Sequence, residues 1–172
     1  MRAEQEAEFH EYMAARTDRM RRFAYLYCGD WHRAEDAVQT AFIRLYAKWN
    51  RAKRASLDAY TRRIVVNVLI DEHRRGWFRR ERSHSEPLDT ATPTDHTADT
   101  EVRMVVRAAL DRLPSRQRIA VILRHWEDLP VEQVAQIMRC STGTVKSQTS
   151  RGLQTLRGLL AESIQRTEGV PS

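Results

Sequence analysis

From Thr142 to Arg151 the chain reads TGTVKSQTSR. With Val145 turned inward at helical spacing, the opposite face carries Thr142, Thr144, Lys146, Ser147, Gln148, Ser150 and Arg151. These are hydroxyls, an amide and cations, with no carboxylate among them. Such a face can hydrogen-bond base edges and phosphates, whereas a helix face that is merely solvated usually mixes both signs of charge. Ser141 offers a hydroxyl cap, so the helix start adds unpaired N–H groups and a positive dipole end. A second run with chemistry in it is HRRGWFRRER, His73 to Arg82, in which arginines flank Gly76, Trp77 and Phe78. Cations on phosphates and rings under bases are how single-stranded nucleic acid is held. The same two rings would equally serve to close a core at a helix end. A third set, Glu35, Asp36, Gln39 and Thr40, forms an acid and amide face. Cys28 and His32 stand four apart, but two ligands around a Gly29-Asp30 helix break do not make a metal site. No metal or cofactor is expected.

These residues need helices to position them, and the periodicity supplies helices throughout. Pro114 suits a helix start, and Ile119, Ile122, Leu123 and Trp126 then recur as one buried stripe. Val131, Val134, Ala135 and Met138 repeat that spacing until Arg139-Cys140, and Val145, Gly152, Leu153 and Leu156 give the next helix its inner face. A helix, a tight turn and a helix with an acid-free face is the form of a helix-turn-helix, here 131–151, that presents its second helix to a DNA major groove. An ordinary helical hairpin is the alternative. Val102, Val105, Val106, Ala109, Leu110 and Leu113 form a further helix packed beneath it.

Toward the N-terminus, a helix over 2–16 is anchored by Phe9, Tyr12 and Met13. Thr17-Asp18 caps a second helix carrying Met20, Phe23, Ala24 and Tyr27, and Gly29 ends it. From His32 to Trp49 a broad stripe of Ala34, Ala37, Val38, Ala41, Phe42, Leu45, Tyr46 and Trp49 faces inward. After Ser56 a helix over 57–75 buries Leu57, Tyr60, Ile64, Val65 and Val68, leaving Arg62, Arg63, Asn67, Asp71, Arg74 and Arg75 outward.

The stretch SHSEPLDTATPTDHTADT, 83–100, has almost no large apolar residue and cannot bury enough surface to fold alone. It reads as an acidic linker between domains at 1–82 and 101–165. With no alternating strand pattern, the fold class is all-α: two small helical domains, the C-terminal one containing the helix-turn-helix. Lys and Arg number 29 against 23 Asp and Glu, a net charge of +6 that favours a polyanionic partner. Two cysteines make no disulfide framework, no leader opens the chain and no apolar run reaches membrane-spanning length, so a soluble cytoplasmic protein without membrane insertion is expected. Clustered carboxylates, a glycine-rich phosphate loop and a nucleophile–histidine arrangement are all missing from the reading. An enzyme is therefore not expected, and no catalytic residue is assigned.

In this order the segments resemble the extracytoplasmic-function group of bacterial sigma factors, the two-domain specificity subunits of RNA polymerase. The resemblance rests on AYLYCGDWHRAEDAVQTAFIRLYAKW, AYTRRIVVNVLIDEHRRG, LPSRQRIAVILRHWEDLPVEQVAQIM and STGTVKSQTSRGLQTL, and covers nearly the whole chain. It implies core RNA polymerase and promoter DNA as partners, with an anti-sigma factor as a further one. Asp36 and Gln39, with Glu35 and Thr40 beside them, match the polymerase-docking surface. Arg62, Arg63, Asn67, Arg74, Arg75 and Trp77 match the segment that melts and grips the downstream promoter element. Thr142, Thr144, Lys146, Ser147, Gln148 and Arg151 match the reader of the upstream element. Three residues depart from the pattern. Arg139 stands where relatives usually have glycine, Gln148 replaces an often basic residue, and Gly152 lies inside the reading helix at a cost of up to about 1 kcal/mol relative to alanine. The alternative reading is a helix-turn-helix regulator that binds duplex DNA without being a polymerase subunit.

Overall fold

The computed structural model describes residues 2–53, 56–82 and 98–169, with 77–82 and 98–99 described as backbone alone. All regular structure in the described residues is helical. Contacts divide the chain into two compact units, Met1–Asp89 and Thr90–Ser172.

In the first unit, α1 (Ala3–Cys28) runs unbroken where the sequence suggests two helices. Thr17 does not cap a new start: its hydroxyl donates to the Met13 carbonyl at 2.6 Å. A threonine can satisfy itself this way inside a helix, and the buried stripe Phe9, Met20, Phe23, Ala24 and Tyr27 holds the helix straight through that point. Gly29 ends it as expected, at φ 73° in the left-handed region, its N–H bonded to the Tyr25 carbonyl at 2.8 Å. Asp30 then caps α2 (Trp31–Ala47) by accepting from the N–H groups of His32 at 2.8 Å and Arg33 at 3.1 Å. Ala34, Ala37, Val38, Ala41, Phe42 and Leu45 are buried on α2, and Trp49 is buried in the single turn α3 (Trp49–Ala52). Tyr46 departs from the expected stripe, being 40% exposed, although its ring still meets Phe9 edge-on at 5.1 Å.

Helix α4 (Leu57–Arg82) continues past the expected end near Arg75, because Gly76 does not stop it. A Cβ at Gly76 would meet nothing within 4 Å, so neither a turn nor a close neighbour requires that glycine. Thr61, Arg62, Val65, Val66, Val68 and Leu69 are buried, a wider face than the sequence suggests. A polar tie crosses from α1 to α4. Tyr12 hydroxyl lies 3.0 Å from Asp58 Oδ1 and 2.9 Å from Thr61 Oγ1, and Arg16 Nε donates to the same Asp58 oxygen at 2.9 Å.

In the second unit, α5 (Ala98–Asp111) buries Ala109 and Leu110, with Leu113 just beyond it, but Val105 is exposed and Val102 is 62% exposed. The predicted stripe is thus covered only at its C-terminal end. Arg118, buried, donates to the Asp111 and Leu113 carbonyls at 3.1 Å each and so closes the end of α5. Helix α6 (Ser115–Val121) widens into a π-helical turn, Ile122–Trp126. Glu127 N–H bonds to the Ile122 carbonyl at 3.1 Å, five residues back. That extra residue rotates Trp126 off the stripe, and it is 44% exposed instead of buried. Helix α7 (Val131–Met138) ends at Arg139, whose φ of 54° and ψ of 51° keep the left-handed turn without glycine, at a cost of about 1 kcal/mol. Helix α8 (Thr142–Glu168) starts at Ser141, whose Oγ accepts from the Thr144 N–H at 3.1 Å, and runs well past Leu156, the last residue of its expected inner face. Gly152 is where α8 crosses α6. A Cβ there would lie 2.7 Å from Val121 Cγ2 and 3.2 Å from the Gln117 carbonyl oxygen, so only glycine permits the approach.

Candidate nucleic-acid and protein interfaces

On α2, Asp36 and Gln39 are exposed, and Glu35 and Thr40 half-buried. Glu35 is engaged within the chain, 3.7 Å from an Arg21 guanidinium nitrogen. The Arg21 guanidinium also lies over the Trp31 ring at 5.9 Å, and Trp31 stacks on Tyr25 at 4.1 Å. Asp36 and Gln39 are the members of the set that stand clear. The same line of α2 continues to Ile43, 72% exposed, and Tyr46, at the i, i+3, i+7 and i+10 positions counted from Asp36. Gln39, Ile43 and Tyr46 border a groove of about 530 Å³ between α1 and α2 whose walls include Phe9, Met13 and Phe42. The sequence reading found the polar half of this surface and missed the apolar half. The signal was available in Ile43, which falls outside the buried stripe yet is large and apolar.

On α4, Arg63 and Asn67 are half-buried and Arg74 and Arg75 exposed. Arg63, Asn67 and Arg74 fall within about 40° of arc at 100° per residue, so the helix gathers them on its open side. Arg62 does not join them. At 4% exposure it lies on the buried side of α4, within electrostatic reach of Asp58, which corrects its expected outward placement. The extended buried face causes this: positions 61, 62, 65, 66, 68 and 69 cover about 160° of α4, and 62 lies inside that arc. The side chain of Trp77, like those of the rest of 77–82, lies outside the described residues, as do residues 83–97 of the expected linker. Glu72 sits between the two faces. Burial raises its pKa, the Asp36 charge raises it further, and Arg33, Arg75 and Arg44 oppose the shift.

On α8, Thr144, Ser147, Gln148 and Arg151 fall within about 100° of arc and form one face. Thr142, Ser147 and Arg151 are exposed, Thr144 and Gln148 half-buried. Ser147 hydroxyl donates to the Thr144 carbonyl at 3.1 Å, and Thr144 Oγ1 lies 2.9 Å from Ser141 Oγ. Both hydroxyls are therefore held in fixed positions while keeping acceptor capacity. Lys146 projects about 100° away from Ser147, toward α7. Among the described residues no helix is long and apolar enough to cross a membrane.

Two family models match the chain: Sigma-70 region 2 over residues 13–79 and Sigma-70 region 4 over residues 103–156. The chain is 36% identical over 154 residues to the RNA polymerase sigma-E factor of Streptomyces avermitilis, covering 87% of this chain and 83% of that one. It is 32% identical over 162 residues to the ECF RNA polymerase sigma factor SigE of Mycolicibacterium smegmatis, covering 91% and 63%. A solved structure of the sigma factor RpoE in complex with the anti-sigma factor NepR, from Bartonella quintana, shares the fold with a TM-score of 0.77 at 24% identity, over 90% of this chain and 97% of that one. The region 2 match accounts for the N-terminal half, which a plain helix-turn-helix regulator would leave without a role. With both halves matched, in order, and most of a curated relative's length covered, the chain belongs to the extracytoplasmic-function group of RNA polymerase sigma factors and directs promoter-specific transcription initiation.

Proposed function

We propose a division of labour along the chain. Residues 1–82 act as the region 2 domain that binds core RNA polymerase and melts the promoter, 83–100 as the interdomain linker, and 101–165 as the region 4 domain that reads the upstream element. Asp36 and Gln39, with Thr40, dock on the polymerase, and Glu35 joins them on release from Arg21. Arg63, Asn67, Arg74 and Arg75 hold the opened downstream strand, together with Trp77. An amide can read an extruded base while arginines hold the backbone. Arg62 stays in the core in this scheme. Thr142, Thr144, Lys146, Ser147, Gln148 and Arg151 contact the upstream duplex, Arg151 having the longest reach. The protein works in the cytoplasm as a non-catalytic subunit, the chemistry belonging to the polymerase, and an anti-sigma partner that covers the polymerase-facing surface regulates it.

The observation that carries this reading is the pairing of α2 and α4. The two helices pack on each other with an acid and amide line on one and a cation and amide line on the other. Enzyme docking and strand gripping then come from one rigid body. An acidic line suits a basic partner and speeds its encounter. The test is reconstitution with core polymerase and run-off transcription on genomic fragments. Asp36→Lys is expected to abolish co-elution with the polymerase while leaving duplex binding intact. Arg74→Ala with Arg75→Ala is expected to leave co-elution intact and prevent strand opening, read by permanganate reactivity of unpaired thymines. Intact transcription by Asp36→Lys would refute the docking assignment.

A further inference from the structure

The connection between α2 and α4 carries charges that no role assigned above uses. Lys48, Asn50, Arg51 and Lys53 are exposed there, around the single turn α3, and no carboxylate stands among residues 48–53. Trp49 is buried beneath them, its ring meeting Phe9 of α1 edge-on at 5.2 Å and tilting against Tyr12 at 5.8 Å. That packing brings the first turns of α1 alongside the connection. Lys53 is consequently held twice: its Nζ lies 5.9 Å from the centroid of the Trp49 ring, and it forms an ion pair with Glu8 Oε2. Glu4 and Glu11, both exposed, stand one turn to either side of Glu8, and the three carboxylates fall within about 60° of arc at 100° per residue. Glu6, exposed as well, points about 160° away from Glu8. These turns lie ahead of residue 13, where the match to Sigma-70 region 2 begins. A line of acids on one helix thus borders an acid-free cationic turn, and Glu8 takes on Lys53 the place of a phosphate.

We propose that the acid-bearing first turns of α1 form an autoinhibitory latch, in which Glu8 occupies Lys53 until the opened DNA strand displaces it. The inference rests on the reading of the first unit as the holder of that strand. Nucleic acid is favoured as the competitor over an acidic protein because the connection leads into α4, whose Arg63 and Asn67 lie on the open side assigned to the strand. Displacement is easy: an ion pair between side chains that are 44% and 38% exposed is weak and screened by salt. The latch therefore lowers the affinity for the strand without abolishing it.

The experiment uses the full chain bound to core polymerase and a fluorescein-labelled fork-junction DNA carrying the opened strand of its mapped promoter. Affinities are measured for wild type, Glu8→Gln, Lys53→Gln, the double variant Glu8→Gln with Lys53→Gln, and Glu6→Gln. All three positions are exposed, so the variants are expected to fold, which circular dichroism checks. Glu8→Gln should tighten binding roughly two- to fivefold, the range open to an exposed ion pair. Lys53→Gln should weaken it and lower the salt slope by about one. In the double variant the gain should vanish, leaving the affinity of Lys53→Gln alone, and Glu6→Gln should match wild type. Unchanged or weaker binding by Glu8→Gln would overturn the proposal, as would a Lys53→Gln variant that binds like wild type. A gain that survives in the double variant, or that Glu6→Gln reproduces, would also overturn it, by reducing the effect to the general field of a removed charge. Failure of the broader reading looks different: Arg74→Ala with Arg75→Ala would then leave fork-junction binding intact, and the latch would fall with it.

Discussion

The first unit ties its helices with side chains, whereas the second brings backbones together until no side chain fits. Helices α1 and α4 are joined by Tyr12, Arg16, Asp58 and Thr61, a set of hydrogen bonds that can lengthen or rearrange without moving either axis far. Helices α6 and α8 meet at Gly152, where a single added carbon would sit 2.7 Å from Val121 Cγ2. A polar tie can be tuned, by pH for example, while a glycine crossing either fits or forces the helices apart. The difference suits the surfaces the units carry. A broad face that docks on a large partner tolerates small shifts, but a helix that reads bases needs a fixed aim.

Substitutions can break that contrast, beginning with the largest effect. Gly152→Val should destabilise the second unit by about 3 kcal/mol or more, and Gly152→Ala by about 1–2 kcal/mol, because overpacking outweighs the roughly 1 kcal/mol that alanine returns to the helix. Urea unfolding should show the loss in one unit only, and a neutral Gly152→Ala would remove the close-crossing account. Asp58→Ala should cost the first unit about 1–2 kcal/mol by leaving Tyr12 and Arg16 without their shared acceptor. Burial alone would raise the Asp58 pKa, but hydrogen bonds from Arg16 and Tyr12, with the charges of Arg16 and Arg62, hold it below its ordinary value. Its contribution is therefore present above the usual carboxylate range and is lost as pH falls through the lowered folded pKa. Burial, against the opposing Thr61 hydrogen bond, lifts Tyr12 to about 12, so its share holds below its ordinary value of 10.0 and is lost as pH rises through about 12. Asp58→Asn should flatten the acid limb, as measured by thermal melts across pH.

Two smaller changes sharpen the contrast by adding stability. Arg139→Gly relieves the left-handed strain and should raise the stability of the second unit by about 0.5–1 kcal/mol. Gly76→Ala, at a position with no neighbour to meet, should raise that of the first by about 0.5 kcal/mol. Calorimetry on the full chain would resolve both as shifts of separate transitions.

Much of this was legible in the sequence because helical periodicity reports burial directly. The buried faces of α2, α7 and α8, the Gly29 stop and the Ser141 cap are where local chemistry and packing agree. Most of the misses arise where packing or the helix's own continuity overrides a local signal. Thr17 looks like a cap and Gly76 like a stop, yet each lies within a helix that neighbours or plain continuity sustain. Trp126 fits a 3.6-residue stripe and is displaced by a turn that holds one residue more. Arg62 looks like a surface cation, and its burial depends on how wide a face α4 covers, which periodicity alone does not reveal. Of the residues proposed for the interfaces, the polar sets on α2 and α8 stand out in the sequence by residue type. Ile43 was readable as a large apolar residue outside the buried stripe, but the groove it borders was not, because that depends on what α1 sets beside it in space.

The widened turn at Ile122–Trp126 acts as a seam. One residue is stored there without interrupting the chain's course, and the Leu123 carbonyl, taken up by the Leu129 N–H at 3.0 Å, seals the far side. Removing a single residue from this stretch would wind it back to ordinary pitch, return the indole toward the interior and swing everything downstream by about 100°. The heading of α8, the helix proposed to read the duplex, is thus stored in a length of peptide rather than in any one side chain, and a deletion scan would register that where substitutions would not.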